Sequence, residues 1–330
     1  MPKIVVLDGY TLNPLPATES SPDHPSWEAL AAIGELTVHD RTAPADIAHQ
    51  AAKAEIVLTN KAPLSGETIA SLPCLKYIGV MATGTNVVDL KTASEHGITV
   101  TNVPGYSTMS VAQHVFALIL ELCSQAGPLD SEVKAGRWQS CPDFCFTVAP
   151  LRELDGKTLG IVGLGAIGQA VARIGIAFGM KVLASARSPK QVDFPVNWVS
   201  TADLLRQSDI VSLHCPLTPE THHLINAQTL ATMKSSAILI NTGRGPLVEE
   251  QAVATALAGG QLGGYGGDVL LAEPPVHGSP LISAPRSVIT PHVAWATVEA
   301  RQRLMDAVVR NVQAFLAGSP ANVVNSPVRS

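Results

Sequence analysis

Three polar residues stand at the ends of apolar runs in the second half of the chain. They are Arg244 in I-L-I-N-T-G-R-G (Ile238 to Gly245), Glu273 in G-G-D-V-L-L-A-E-P-P (Gly266 to Pro275) and His292 in V-I-T-P-H-V-A-W (Val288 to Trp295). Ligands of open α/β sheets gather where strands end, which makes these residues candidates for chemistry. Histidine titrates near neutrality and can give a proton to a reacting oxygen or remove one. A glutamate can hold the other ring nitrogen, fixing the ring's orientation and favouring its protonated form. An arginine presents a planar fork that grips carboxylate and carbonyl oxygens together and polarises the carbonyl. A histidine alone at a strand end is more often structural; His292 is set apart by its company.

Upstream, G-L-G-A-I-G at Gly163 to Gly168 lies between the apolar run Thr158 to Val162 and the helix-like run Ala166 to Phe178. A strand, a glycine turn and a helix N-terminus in that order bind a diphosphate, because backbone N–H groups and the helix dipole face the ligand. Gly163 permits the turn, Gly165 lets backbone reach the pyrophosphate, Ala166 and Ile167 open the helix, and Gly168 lets it pack close to the strand. The next strand, Lys181 to Ser185, ends in Ala186, Arg187 and Ser188, with Lys190 behind. No carboxylate stands there to accept from a ribose 2′-hydroxyl. Arg187 and Ser188 can instead pair with a 2′-phosphate, so the expected cofactor is NADP(H) in preference to NAD(H), with NAD(H) still accepted.

At 330 residues the chain exceeds what one core usually supports, so two domains are expected. The first hundred residues alternate strand candidates (Lys3 to Leu7, Leu36 to His39, Glu55 to Thr59, Tyr77 to Val80, Ile98 to Thr101) with helix candidates (Ser26 to Ile33, Ala45 to Ala54, Ser65 to Ser71, Val88 to His96). Such alternation implies a parallel, doubly wound α/β sheet. Ser107 to Cys123 reads as one long apolar helix and is expected to lie buried between domains. A second βαβ series follows, with strands near Leu159, Val182, Ile210, Ala237 and Val288. The last segment, Val298 to Ala317, is helical again and is expected to return to the first domain. The resulting organisation is a discontinuous substrate domain (1–102 and 298–330), a dinucleotide-binding domain (103–297) and a cleft between them.

Hydrophobic residues make up 46% and charged ones 15%, the balance of a compact globular chain and not of a disordered one. A net charge of -5 offers no electrostatic case for nucleic acid or membrane surfaces. The N-terminus lacks the pattern of a signal peptide, and Gln169 and Arg173 interrupt the most apolar stretch, Gly160 to Gly179. Five scattered cysteines fit reduced thiols and a cytoplasmic location. Cys141 and Cys145 have no second Cys/His pair at zinc spacing, so no metal is expected. Partners are expected to be a small molecule and another copy of the chain.

With the glycine motif upstream, the order Arg244, Glu273, His292 closely resembles the D-2-hydroxyacid dehydrogenase family, over nearly the whole chain. It is most similar to the glycerate dehydrogenase (hydroxypyruvate reductase) branch. The motifs that carry this are V-L-D-G-Y-T-L-N-P (Val6 to Pro14), T-N-K (Thr59 to Lys61), N-V-P-G-Y-S-T (Asn102 to Thr108), C-P-D-F-C-F (Cys141 to Phe146), H-C-P-L-T (His214 to Thr218) and P-H-V-A-W-A-T (Pro291 to Thr297). The resemblance implies two Rossmann-like domains, a homodimer, and reduction of hydroxypyruvate or glyoxylate to D-glycerate or glycolate. It gives His292 the proton transfer, Glu273 the support of His292, and Arg244 the carbonyl. It sets His214, Cys215 and Pro216 along the cofactor, Thr242 and Gly243 near the nicotinamide, and Asp268 on its carboxamide.

On the first domain, backbone N–H groups of Ala82, Thr83 and Gly84 in M-A-T-G suit a substrate carboxylate and Lys61 could attract it; on the second, Trp295, three residues past His292, could wall the pocket. Formate dehydrogenases are similar too, through G-Y-G-G-D-V (Gly264 to Val269), but they lack a glutamate partner for the histidine. C-terminal binding corepressors share the fold and the three residues, which leaves a dinucleotide-sensing protein as the alternative to an enzyme.

Overall fold

The computed structural model describes residues 1–13 and 25–326; Pro14, which closes the first of the motifs above, lies outside them. The chain forms two compact units, 1–107 with 296–330, and 108–295.

The first unit holds five parallel strands, β1 (Lys3–Val6), β2 (Glu35–Val38), β3 (Ile56–Thr59), β4 (Tyr77–Val80) and β5 (Thr99–Thr101), in the order β2-β1-β3-β4-β5. Every residue of β3 and β4 is buried, as expected of strands covered on both faces, whereas edge strand β2 leaves alternate residues exposed. Ser65 and Asp89 each accept the backbone N–H three residues on, and so start the helices Gly66–Ala70 and Leu90–Glu95. The helix expected over Ala45 to Ala54 is shorter, a 3₁₀ turn (Pro44–Asp46) and one α turn (Ile47–Gln50). Its buried residues are Ile47, Ala51 and Ala54, and Ala51 already leaves helical geometry at φ -99°, ψ 6°.

The unit is completed by the C-terminal helix Val298–Leu316, whose first turn is capped by the Thr297 hydroxyl. This helix brings Phe315 to 4.7 Å from the Tyr77 ring, sends Asn311 Nδ2 to the Asn102 carbonyl at 2.9 Å and Arg303 Nε to the Tyr106 carbonyl at 2.8 Å. The chain then runs beside β5: Val323 pairs antiparallel with Thr101, and Val324 N–H donates to the Val100 carbonyl.

The second unit holds seven parallel strands, β6 (Thr158–Val162), β7 (Lys181–Ser185), β8 (Asn197–Trp198), β9 (Ile210–Leu213), β10 (Ile238–Asn241), β11 (Gly264–Gly267) and β12 (Ser287–Ile289). Their order is β12-β11-β10-β9-β6-β7-β8. The chain winds outward from β6 in one direction and then the other, so the order reverses between β6 and β9, where such sheets open a crevice at their C-terminal edge.

The helix Thr108–Ser124, expected between domains, belongs wholly to this unit. It buries Val115, Leu118, Ile119 and Leu122 in the core that covers one face of the sheet. Gly264–Gly267 is a strand, and the chain leaves the sheet at Asp268, so Glu273 stands in the loop beyond it and not at the strand's end. Glycine is required in this strand because a Cβ on Gly266 would stand 2.8 Å from Ile240 Cδ1 and 3.0 Å from Leu118 Cβ. Among the described residues no single helix is long and apolar enough to cross a membrane.

Candidate active site

Gly163 follows β6 with φ +94°, a left-handed conformation that a side chain would strain. A Cβ there would also stand 2.6 Å from Cys215 N and 2.7 Å from the His214 carbonyl, so the glycine turn and the H-C-P segment after β9 meet across the reversal point. A Cβ on Gly168 would strike the Gly163 carbonyl, which explains the close packing of helix Ala166–Ala177 on the turn. At Gly165 a Cβ would meet nothing within 4 Å, and no side chain caps this twelve-residue helix. Uncapped helix amides facing open space suit a diphosphate.

Around this turn lie the other residues expected to touch the cofactor. Ala186, Arg187 and Ser188 follow β7 and are exposed, and Arg187 contributes, after the Thr218 hydroxyl, to holding the Glu220 carboxylate below its usual range. His214 bonds Ser212 Oγ at 2.8 Å, and burial pushes the imidazole down to about 4, leaving it neutral at physiological pH. Burial also raises the neighbouring Cys215 thiol, and Pro216 O accepts from Thr221.

After β10, Thr242 Oγ1 is buried and has no hydrogen-bond partner among the described residues. A buried hydroxyl left bare is costly unless something else satisfies it, and a nicotinamide end at this point would do so. The residues present therefore fit a dinucleotide. Asn241, which sequence reasoning passed over, holds this loop: its Oδ1 accepts from Gly243 N and its Nδ2 donates to the Arg244 carbonyl. The N-x-G spacing is the signal that could have found it, since asparagine favours bonds to backbone two residues on. Arg244 is exposed, with one guanidinium nitrogen on the Gly243 carbonyl at 2.8 Å.

Glu273 and His292 are brought together. Glu273 Oε2 lies 2.6 Å from His292 Nδ1, and its Oε1 accepts the Leu270 N–H at 3.0 Å. An ionised carboxylate can only accept, so Nδ1 carries the shared proton and Nε2 is the nitrogen that can exchange one with a substrate. Both side chains remain partly exposed. His292 itself has φ +55°, uncommon for a residue with a side chain.

Several bonds over-determine this turn. Asp268, 1% exposed, accepts from Thr290 Oγ1 (2.6 Å), Val293 N (2.9 Å) and Ala294 N (2.8 Å). His114 Nε2 bonds Thr290 Oγ1 at 2.8 Å, Ser110 Oγ donates to the Ala294 carbonyl, and Trp295 Nε1 donates to the His292 carbonyl at 2.9 Å. Asp268 is enclosed, and these bonds tie it to the His292 turn. Trp295 directs its indole N–H back to the same turn. Ser110 and His114, one helical turn apart on one face, are further residues the sequence reading did not single out for the site.

On the first unit, Met81 through Gly84 follow β4. The carbonyls of Met81, Ala82 and Thr83 accept bonds from Asn60 Nδ2, Val103 N and Asn102 Nδ2, respectively. Lys61 follows β3 and is exposed. Among the described residues no group of His, Cys, Asp or Glu is arranged to hold a metal.

A seven-stranded doubly wound sheet with a glycine turn at its reversal point, and an imidazole held by a carboxylate on the same unit, define a nicotinamide-dependent oxidoreductase. Residues 116–294, more than half of the chain, match the family described as D-isomer specific 2-hydroxyacid dehydrogenase, NAD binding domain. The chain is 46% identical over 328 residues to a hydroxypyruvate reductase of Blautia hydrogenotrophica, covering 98% of this chain and 99% of that one. It is 45% identical over 285 residues to a glycerate dehydrogenase of Methylorubrum extorquens, covering 86% and 89%. An NADPH-dependent glyoxylate/hydroxypyruvate reductase of Sinorhizobium meliloti, solved with citrate, superposes with a TM-score of 0.85 at 29% identity and full coverage of both chains. The protein belongs to the D-isomer-specific 2-hydroxyacid dehydrogenase family, in its glycerate dehydrogenase and glyoxylate reductase branch.

Proposed function

We propose that the protein is an NADPH-preferring reductase of small 2-oxo acids that converts hydroxypyruvate or glyoxylate to D-glycerate or glycolate, as a cytoplasmic homodimer. The observation that carries this reading is the 2.6 Å bond between Glu273 and His292. Hydride transfer from formate needs no proton donor, whereas reduction of a carbonyl does. The names of the relatives support the substrate class.

When bound, the nicotinamide supplies a hydride for the carbonyl carbon. His292 Nε2 gives a proton to the carbonyl oxygen as negative charge builds there, and Glu273 stabilises the ring that carries it. Arg244 offers its guanidinium N–H groups to the carbonyl and carboxylate oxygens. The amides of Ala82, Thr83 and Gly84 take the carboxylate. Gly163, Gly165 and the amides of Ala166, Ile167 and Gly168 hold the diphosphate, Thr242 and Gly243 meet the nicotinamide end, and Arg187 with Ser188 meets a 2′-phosphate.

Incubation with a panel of 2-oxo acids and either NADPH or NADH tests this. Expected are turnover of hydroxypyruvate or glyoxylate, higher kcat/KM with NADPH, and loss of that preference in Arg187→Ala. Dinucleotide binding without turnover of any 2-oxo acid would favour the sensing, corepressor-like alternative.

A further inference from the structure

We infer that Asp8 and Asn60 are positioning residues for the substrate's carboxylate, acting through the backbone of the Met81–Gly84 turn. The inference rests on the function proposed above for that turn.

In the first unit the strand order reverses between β1 and β3, the place where a parallel sheet of this kind opens a crevice at its C-terminal edge. That place is filled from within. Asp8, just past β1 and 3% exposed, directs its carboxylate at the loop that follows β3. Its oxygens lie 2.9 and 3.0 Å from Asn60 N, and Oδ2 also accepts from Lys61 N at 2.5 Å and Ala62 N at 2.9 Å. Among the described residues Asp8 makes no ion pair, so its charge is met by three consecutive backbone amides. A buried carboxylate satisfied this way fixes the loop's backbone closely, because each amide released would leave it under-solvated.

The loop passes this constraint to the next strand. Asn60, also 3% exposed, donates from Nδ2 to the Met81 carbonyl at 2.6 Å, while Met81 N donates to the Thr59 carbonyl at 2.8 Å. From the other side, Val103 N holds the Ala82 carbonyl at 3.0 Å and Asn102 Nδ2 holds the Thr83 carbonyl at 2.7 Å. Three successive carbonyls are thus tied to the chain. Among the described residues the amides of Ala82, Thr83 and Gly84 donate to no protein acceptor. In a trans peptide the N–H points opposite to the C=O, so each pinned carbonyl fixes the direction of the amide that follows it. Successive amides left free in a turn can form an anion-binding concavity. Asp8 and Asn60 set its first peptide unit without touching the ligand.

Asn60→Ala removes one donor and leaves the backbone bonds to Asp8 in place, so it is the primary variant. Asp8→Asn sets an amide N–H against that of Asn60 and carries more risk to folding. Asn102→Ala, at the surface, loosens the turn from its other side. Binding of oxalate to the protein with NADP⁺ is measured by calorimetry, beside KM and kcat for hydroxypyruvate and Kd for NADPH. Loss of one orienting hydrogen bond should weaken oxalate and raise KM about tenfold in Asn60→Ala and Asn102→Ala, with kcat changed by less than about threefold. NADPH affinity should not change. Unaltered oxalate affinity and KM in a folded Asn60→Ala overturns the inference, as does a wild-type protein that binds no oxalate. A wild-type protein that reduces no 2-oxo acid yet binds oxalate in an Asn60-dependent way removes the proposed reaction and supports the inference.

Discussion

His292 has backbone dihedrals that few side-chain-bearing residues adopt, and such strain persists only where the surroundings over-determine it. Here they do. Asp268 grips the chain on both sides of His292, Trp295 holds its carbonyl, and Glu273 holds its ring. The ring is therefore aimed before any ligand arrives. His292→Ala should lower kcat by about 10²–10⁴, the usual worth of a positioned proton donor, while a fluorescence titration finds NADPH bound as tightly as before. Glu273→Gln replaces a charged acceptor with a neutral one and so holds the ring's N–H more weakly. It should lower kcat about tenfold with NADPH affinity unchanged, and a wild-type kcat would argue against the coupling.

His214 carries a different pH signature. Its ring is pushed from 6.5 to about 4 in the folded protein, so between those values the unfolded chain binds the extra proton. Stability is then full above about pH 6.5 and declines as pH falls toward 4. Thermal melts across this window should show the decline, and His214→Gln should flatten it.

At the scale of elements, the glycine turn after β6 joins two strand ends, because the backbone of His214 and Cys215 occupies the space where a Gly163 side chain would go. Gly163→Ala should cost about 1–3 kcal/mol through backbone strain, before any shift of the neighbouring loop is counted. A lowered Tm together with a weaker NADPH Kd is the expected pair of readings; a wild-type value for both would detach the turn from the cofactor.

This turn was legible in the sequence because strand, glycines and helix are contiguous, and the same holds for β6, β7 and the helices on either side. Elements whose reason is distant were harder to see. β11 carries three glycines, and only the approach of Leu118 and Ile240 gives the reason for Gly266. The bracing of His292 depends on His114, 176 positions from its partner Thr290, and the Asp8 bonds span 52 to 54 positions. Nothing in a local window signals such pairs. Asp268 was visible as a lone acid after a strand, but the direction of its lone pairs was not.

At the scale of the molecule, the first unit is assembled from both ends of the chain. Helix Val298–Leu316 contributes Leu304, Met305, Val308 and Val312, all buried and each worth about 1.5–3 kcal/mol on burial. Together they rival the whole stability of an ordinary domain, about 5–15 kcal/mol. A protein ending at Thr297 should therefore lose residues 1–107 to a protease. Residues 108–295 should resist and still bind dinucleotide; survival of the amino-terminal part would show that the helix is dispensable.

The strip that runs from this helix to Asn325, beside β5, sets the order of events during synthesis as well. Residues 108–295 emerge with every strand of their sheet already made, but the amino-terminal sheet stays one helix and one border segment short until residues 298–325 have been made. Domains usually fold in the order they leave the ribosome; here the part made first should mature last, holding its apolar strands in the care of chaperones meanwhile.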